Sequence, residues 1–161
     1  MARQKSVSKS GSLEIKQTLE HSIKFKQRKF KFTDKQQNFL KILLDPETKI
    51  MFVSGPAGSS KTYMSVYGCL QMMHANEDLD LLYVRSIAES AEKGLGSLPG
   101  DVGEKFDPFM LPLNDKLSEI IHEGDAIYLK NQEKIAAIPV NFLRGANWNS
   151  KLVVVDEAQN M

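Results

Sequence analysis

The stretch Lys49-Ile-Met-Phe-Val-Ser54-Gly55-Pro56-Ala57-Gly58-Ser59-Ser60-Lys61-Thr62 decides the fold. Its first six residues predict a short buried strand. The residues from Thr62 to Ala75 carry apolar side chains at helical spacing. Between them lies a loop with the spacing of a P-loop, in the strand–loop–helix setting that this motif requires. In such a loop, successive backbone N–H groups turn inward to cradle phosphates, and the following helix adds its positive N-terminal end. Gly55, Pro56, Ala57, Gly58, Ser59, Ser60, Lys61 and Thr62 are therefore the candidate phosphate-binding residues. Lys61 would reach the β- and γ-phosphates, and the Thr62 hydroxyl would ligate Mg²⁺. One position departs from the pattern, because Ser60 stands where the motif has Gly. Ser keeps its N–H, so the cradle survives unstrained if φ there is negative. A positive φ would bring strain that Gly avoids.

Lys151-Leu-Val-Val-Val155 is a continuous, β-branched apolar run, as expected of a strand buried on both faces of a parallel sheet. It ends in Asp156-Glu157-Ala158-Gln159. Two carboxylates at such a strand end are costly unless a cation or a reacting water needs them. Beside a P-loop, the first acid, Asp156, is expected to hold Mg²⁺ through water. The second, Glu157, is suited to accept a proton from the attacking water.

The chain of 161 residues is long enough for one domain with a proper core. Its net charge of +1 conceals an asymmetry: residues 1–32 hold nine Lys or Arg against Glu14 and Glu20, and the remainder holds twelve against eighteen acids. Such a basic arm suits either contact with nucleic acid or a solvated, partly disordered leader. No apolar stretch is long enough to span a membrane, and no apolar h-region follows the N-terminal charges. A single Cys69, read as a small core residue, fits a reducing cytoplasm. His21, His74 and His122 stand apart from one another and from Cys69, so their spacing suggests no metal site.

Along the chain, residues 1–12 read as disordered, and parts of Ile23–Phe32 alternate as a strand would. Thr33 is a plausible N-cap for a helix from Asp34 to about Leu44, with Phe39, Leu40, Leu43 and Leu44 on one face and Asp45-Pro46 as its stop. Asp80–Val84 predicts a second parallel strand. Arg85–Pro112 reads mainly as an ordered loop, with a short helix over Ala88–Lys93. Asn114–Glu123 predicts an amphipathic helix using Leu117, Ile120 and Ile121, and Ala126–Leu129 and Pro139–Leu143 predict short strands. There is no internal repeat.

Taken together, these pieces resemble the PhoH-like ATPases, whose P-loop domain is similar to that of superfamily-one helicases. The resemblance covers roughly Lys31 to Met161. It is carried by Thr33-Asp-Lys-Gln36, Gly55-Pro-Ala-Gly58 with Lys61-Thr62, Arg85-Ser86, Glu92-Lys-Gly94, Leu98-Pro-Gly-Asp101, Glu104-Lys105, Asp107-Pro108, Arg144-Gly145 and Asp156-Glu-Ala-Gln-Asn160. The middle Leu-Pro-Gly-Asp and Asp-Pro series is far more specific than a bare P-loop. Many phage genomes encode such proteins, and the basic leader and compact length suit that origin, which would place the protein in a host cytoplasm.

The resemblance implies an α/β fold of the P-loop NTPase type, RecA- or helicase-like, with a mostly parallel sheet flanked by helices. A leader over 1–32 would precede the ATPase domain over 33–161. The implied ligands are ATP and Mg²⁺, and the implied activity is ATP hydrolysis coupled to remodelling of single-stranded RNA or DNA. Lys61 and Glu157 would be catalytic, and Thr62 and Asp156 would hold the metal. Gln36 would read the adenine edge, a role its amide can fill with one donor and one acceptor, or else be an exposed helix residue. Gln159 would sense the γ-phosphate or serve at the surface. Arg85 and Arg144 would contact phosphate or nucleic acid, or form salt bridges with the acidic middle segment. Trp148 would stack on a base or pack.

In the family the chain continues well past the acidic strand. The next strand, carrying a phosphate sensor, inserts between the P-loop strand and the acidic strand, and an Arg that completes the nucleotide site follows later. Ending at Met161, this sequence is expected to form a domain incomplete at its C-terminus, with two parallel edges unpaired and a tendency to associate. Two further readings stand beside the motor: a nucleotide-binding switch module without turnover, and a small-molecule kinase using the same loop. A ring or other homo-oligomer is also compatible with a P-loop motor.

Overall fold

Three parallel strands form the centre of the molecule, in the spatial order β2-β1-β3. The computed structural model describes residues 22–26, 31–85, 102–143 and 147–160. In chain order the elements are α1 (Asp34–Leu43), α2 (Lys61–Ala75), β1 (Asp80–Arg85), α3 (Val102–Ile120), α4 (Glu123–Asn131), β2 (Ile135–Pro139) and β3 (Lys151–Asp156). Short 3-10 turns follow β2 and β3, at Val140–Phe142 and Ala158–Asn160. The architecture is a small α/β fold with a parallel sheet flanked by helices, consistent with the P-loop NTPase class.

Register sets the geometry of the site. Leu81 pairs with Ile135 and Leu152, Tyr83 with Ala137 and Val154, and Arg85 with Pro139 and Asp156. Because side chains alternate across a sheet, Leu81, Tyr83, Ile135, Ala137 and Val154 share one face. That face packs with Val66, Cys69, Leu70 and Met73 of α2, with Leu113, Leu117 and Ile120 of α3, and with Ala126 and Leu129 of α4. Tyr83, Leu70, Leu113 and Leu117 are fully buried. The three strands end together at Arg85, Pro139 and Asp156, at the carboxyl edge where open α/β sheets place ligands.

At the opposite edge, Asp80 accepts from two lysines, Lys134 Nζ at 3.0 Å and Lys151 Nζ at 2.6 Å. Lys134 immediately precedes β2 and Lys151 begins β3, so one carboxylate ties the starts of all three strands. Burial alone would raise the Asp80 carboxyl. The hydrogen bonds and charges of the two lysines outweigh it and hold the group below its usual range.

Helix α1 begins as expected at Thr33, whose hydroxyl accepts from the Gln36 N–H while the Gln36 side chain accepts from the Thr33 N–H, a full capping box. It lies against α2 where Gly68 is buried. A Cβ there would stand 2.4 Å from Leu43 Cδ2, so the missing side chain allows the close approach. Part of the basic leader also packs inward. Ile23 is buried, Phe25 forms an antiparallel bridge to Ile121, and the buried Asp125 carboxylate accepts from the Lys24 N–H at 2.9 Å. Phe25 and Phe32 both meet Tyr67 of α2 edge-on, at centroid distances of 5.6 and 5.2 Å.

Several expectations are corrected. Residues 49–54 form no strand: they have no ladder partner among the described residues, and Ile50 and Phe52 are 78% and 95% exposed. Without a neighbouring strand the run has nowhere to place its backbone hydrogen bonds. Nor is β3 buried on both faces, since Val155 is 45% exposed and only β1 pairs with β3 among the described residues.

The stretch from Val102 to Pro112, read as loop, belongs to a nineteen-residue helix that continues through Pro108 and Pro112 to Ile120. Each proline withdraws a helical donor, yet burial of Leu113, Leu117 and Ile120 carries the helix across them. Ala126–Leu129 is the middle of α4 rather than a strand, because Ala126 and Leu129 are spaced to bury one helical face. The strand predicted at Pro139–Leu143 lies earlier, at Ile135–Pro139, and the chain turns into a 3-10 turn after Pro139. The short helix expected over Ala88–Lys93 and the Leu98–Asp101 motif fall outside the described residues.

Candidate functional site

The loop Gly55–Ser60 lies exposed between the unpaired segment and α2. Two of its residues adopt left-handed backbone, Gly58 at φ +75° and Ser60 at φ +65°. The question raised by Ser60 is thereby answered: its position does require positive φ, at a cost of about 1–2 kcal/mol for a residue with a Cβ. Ser60 is also the N-cap of α2, and its carbonyl accepts from the Met64 N–H at 2.9 Å. Within the loop the Ser59 N–H and hydroxyl both donate to the Pro56 carbonyl. Among the described residues, the N–H groups of Gly58, Ser60, Lys61 and Thr62 donate to no backbone carbonyl. Four donors collected at a loop and helix N-terminus suit an anion.

Lys61 folds back over the loop, its ammonium donating to the Gly55 carbonyl at 2.8 Å and the Pro56 carbonyl at 2.9 Å. The next side chain reaches across to the sheet. Thr62 Oγ1 donates to Asp156 Oδ1 at 3.0 Å, joining the start of α2 to the end of β3. The second oxygen of the same carboxylate, Asp156 Oδ2, accepts from the Tyr83 hydroxyl at 2.5 Å. Burial, followed by this hydrogen bond and the Asp156 charge, pushes the Tyr83 phenol well above its usual range, while the nearby Arg85 opposes the shift. The phenol is therefore a fixed donor to Asp156.

Glu157 follows with left-handed backbone, φ +54°, and an exposed side chain. The Gln159 amide donates to its carboxylate, and the Asn160 N–H donates to its carbonyl at 3.0 Å. A non-glycine residue held in this conformation directly after the acidic strand is the kind of local strain that collects at functional sites.

The geometry thus brings Thr62 and Asp156 into contact and places Glu157 beside them in the chain. Gln36 makes its hydrogen bonds to Thr33 rather than to any loop residue. Arg85 ends β1 directly opposite Asp156, and Trp148 is 47% exposed before β3. Arg144 and Gly145 lie outside the described residues. Sequence reasoning missed Tyr83. The available signal was a hydroxyl-bearing aromatic in an otherwise aliphatic buried run, since a buried tyrosine hydroxyl needs a partner.

The residues suit Mg²⁺. Hydroxyl and carboxylate oxygens are the hard donors it prefers. Thr62 Oγ1 and Asp156 Oδ1, 3.0 Å apart, would serve one ion together, the hydroxyl as a ligand and the carboxylate through water. Among the described residues there is no cluster of three or more His, Cys, Asp or Glu that could hold a metal by itself. A two-oxygen site completed by phosphate and water is thus the arrangement these side chains offer. None of the described helices is long and apolar enough to cross a membrane.

The family model described as PhoH-like protein matches residues 8–161. A PhoH-like protein of Synechocystis is 34% identical over 155 residues, covering 94% of this chain and 46% of the relative. A PhoH-like protein of Bacillus subtilis is 33% identical over 111 residues, covering 69% of this chain and 34% of the relative. Protein PhoH of Escherichia coli K12 is 30% identical over 128 residues, covering 78% of this chain and 35% of the relative. The chain spans about half the length of these relatives or less.

Proposed function

Because the chain belongs to the PhoH-like protein family, we propose that it binds Mg-ATP on the Gly55–Thr62 loop and hydrolyses it to remodel single-stranded RNA or DNA. The observation that carries this reading is the Thr62–Asp156 contact, which brings the hydroxyl of the loop and the acid of the last strand to one point. The N–H groups of Gly58, Ser60, Lys61 and Thr62 would hold phosphate oxygens. Lys61 would exchange its loop carbonyls for the β- and γ-phosphates, a trade of neutral acceptors for charged ones. Bound between Thr62 and Asp156, Mg²⁺ would neutralise phosphate charge. Glu157 would orient a water and accept its proton. The water oxygen forms the new bond to the γ-phosphorus while the bond to the bridging oxygen breaks, releasing ADP and phosphate. Gln36 would contact adenine through its amide N–H, since its carbonyl oxygen accepts from Thr33.

The nine basic residues of the 1–32 leader would supply the attraction to nucleic acid, with the ATPase domain beginning near 33. A cytoplasmic location and a homo-oligomeric assembly belong to the same proposal. A second reading, a nucleotide-binding switch without turnover, is favoured by the Gln159 amide on Glu157, because it occupies the carboxylate that would have to receive the water's proton.

Phosphate release measured with and without single-stranded RNA or DNA, beside Glu157→Gln, separates the two. Turnover that nucleic acid stimulates and Glu157→Gln abolishes supports the motor. Nucleotide binding with no phosphate release under either condition supports the switch. Stimulation that falls with salt and vanishes when residues 1–21 are removed would place nucleic-acid contact in the leader.

A further inference from the structure

We propose that Tyr83 is a positioning residue for the metal site: its buried hydroxyl fixes the Asp156 carboxylate so that Oδ1 faces the Thr62 hydroxyl. The inference rests on the Mg-nucleotide reading of that site and concerns a residue to which that reading gives no role.

Three observations carry it. The first is reach. Arg85 and Asp156 are register partners, and Tyr83 lies two residues before Arg85 on the same face of β1. Diagonal neighbours on one face are within range of an aromatic side chain, and the hydroxyl does arrive at Asp156 Oδ2, at 2.5 Å. The second is rigidity. Tyr83 is fully buried among the residues of the sheet and α2, so its ring cannot swing away from the carboxylate. The third is division of labour. A carboxylate at the end of an Asp side chain rotates broadly about its last torsion. Here each oxygen has its own donor, Oδ1 from Thr62 and Oδ2 from Tyr83, and that rotation is stopped.

The chemistry is that of an outer-sphere partner. With Mg²⁺ held at Oδ1, directly or through water, the Tyr83 bond to Oδ2 would persist and keep the carboxylate aimed. Phenylalanine would fill the same volume in the core. The hydroxyl is therefore explained by its acceptor and not by packing, and loss of such a partner typically weakens metal binding about tenfold or more.

The test is Tyr83→Phe in the full chain, with Mn²⁺ affinity for the ADP complex read by electron paramagnetic resonance and metal-free ADP affinity measured alongside. The expected result is an approximately tenfold loss of Mn²⁺ affinity, unchanged metal-free ADP binding, and no further loss when Tyr83→Phe is added to Asp156→Ala. Unchanged Mn²⁺ affinity in Tyr83→Phe overturns the inference. So does an equal loss of Mn²⁺ and metal-free ADP binding, which would mean a merely structural role. Should Tyr83→Phe not fold, fluorotyrosine incorporated at position 83 replaces it. Its fluorine resonance is expected to shift when Mg²⁺ joins the ADP complex, and an unmoved resonance overturns the inference. Absence of any Mn²⁺ binding by the wild-type ADP complex would instead sink the Mg-nucleotide reading, and this inference with it.

Discussion

Thr62 and Asp156 are 94 positions apart in the chain and 3.0 Å apart in space. Thr62 lies in the first turn of the helix that follows the loop, and Asp156 ends β3, so their hydrogen bond closes the site across the sheet. Everything proposed for this protein depends on that closure.

Ser60 carries left-handed backbone at φ +65°. Ser60→Gly should relieve that strain and stabilise the fold by about 1 kcal/mol, raising the melting temperature by roughly 3 °C for a domain of this size. Nucleotide affinity should be preserved, because the N–H is retained. A melting temperature that falls would show that the Ser60 side chain contributes more than its backbone costs.

Asp80 should make stability depend on pH in the acid range. Its carboxyl is held below the ordinary 3.8 by Lys151 and Lys134. The unfolded chain therefore binds the proton first, and the contribution is complete above the ordinary value. It is lost as pH falls below 3.8 through the lower folded value. Thermal unfolding of wild type should show this acid slope, and Asp80→Asn should flatten it while lowering stability at neutral pH. Identical slopes would remove the carboxylate from the account of how the strand starts are tied.

Cys69 is buried in α2, and burial pushes its thiol from 9.0 up to about 12. In the native protein at pH 8 it should react with a thiol reagent only as fast as the fold opens, and denaturant should make labelling immediate. The raised value also means that its contribution to stability is complete below pH 9 and is lost as pH rises towards 12. Rapid labelling of the native chain would contradict its place in the core.

Phe52 is 95% exposed on a segment with no ladder partner among the described residues, and Val155 on β3 is 45% exposed. Bare apolar residues near an open strand edge invite association. Phe52→Ser and Val155→Lys should each reduce concentration-dependent light scattering without lowering stability by more than about 0.5 kcal/mol. Unchanged scattering in the double variant would place self-association elsewhere.

How much of this was legible in the sequence follows from how local each signal is. The N-cap at Thr33, the helix after Lys61 and the apolar run Lys151–Val155 are written in neighbouring residues, and all three are found. The strand expected at Lys49–Ser54 depended on a partner that local pattern cannot supply. Pro108 and Pro112 read as breakers, yet long-range packing holds α3 through them. At the site, residue types and spacing identified Lys61, Thr62, Asp156 and Glu157 as candidates. The backbone of Ser60, the engagement of Glu157 by Gln159 and the hydroxyl of Tyr83 are relations between side chains or torsions, and they became readable only once the strands were in register.

Calorimetric titration of Mg-ATP into the wild-type chain, beside Lys61→Ala and Asp156→Ala, tests nucleotide binding at the loop most simply. Saturable one-to-one binding by wild type is expected. Lys61→Ala should weaken it by about tenfold to a hundredfold, the worth of a charged hydrogen bond to phosphate. Asp156→Ala should weaken Mg-ATP but not metal-free ATP. A folded wild-type chain that gives no binding signal, or a Lys61→Ala variant that binds as tightly as wild type, would contradict nucleotide binding at the loop.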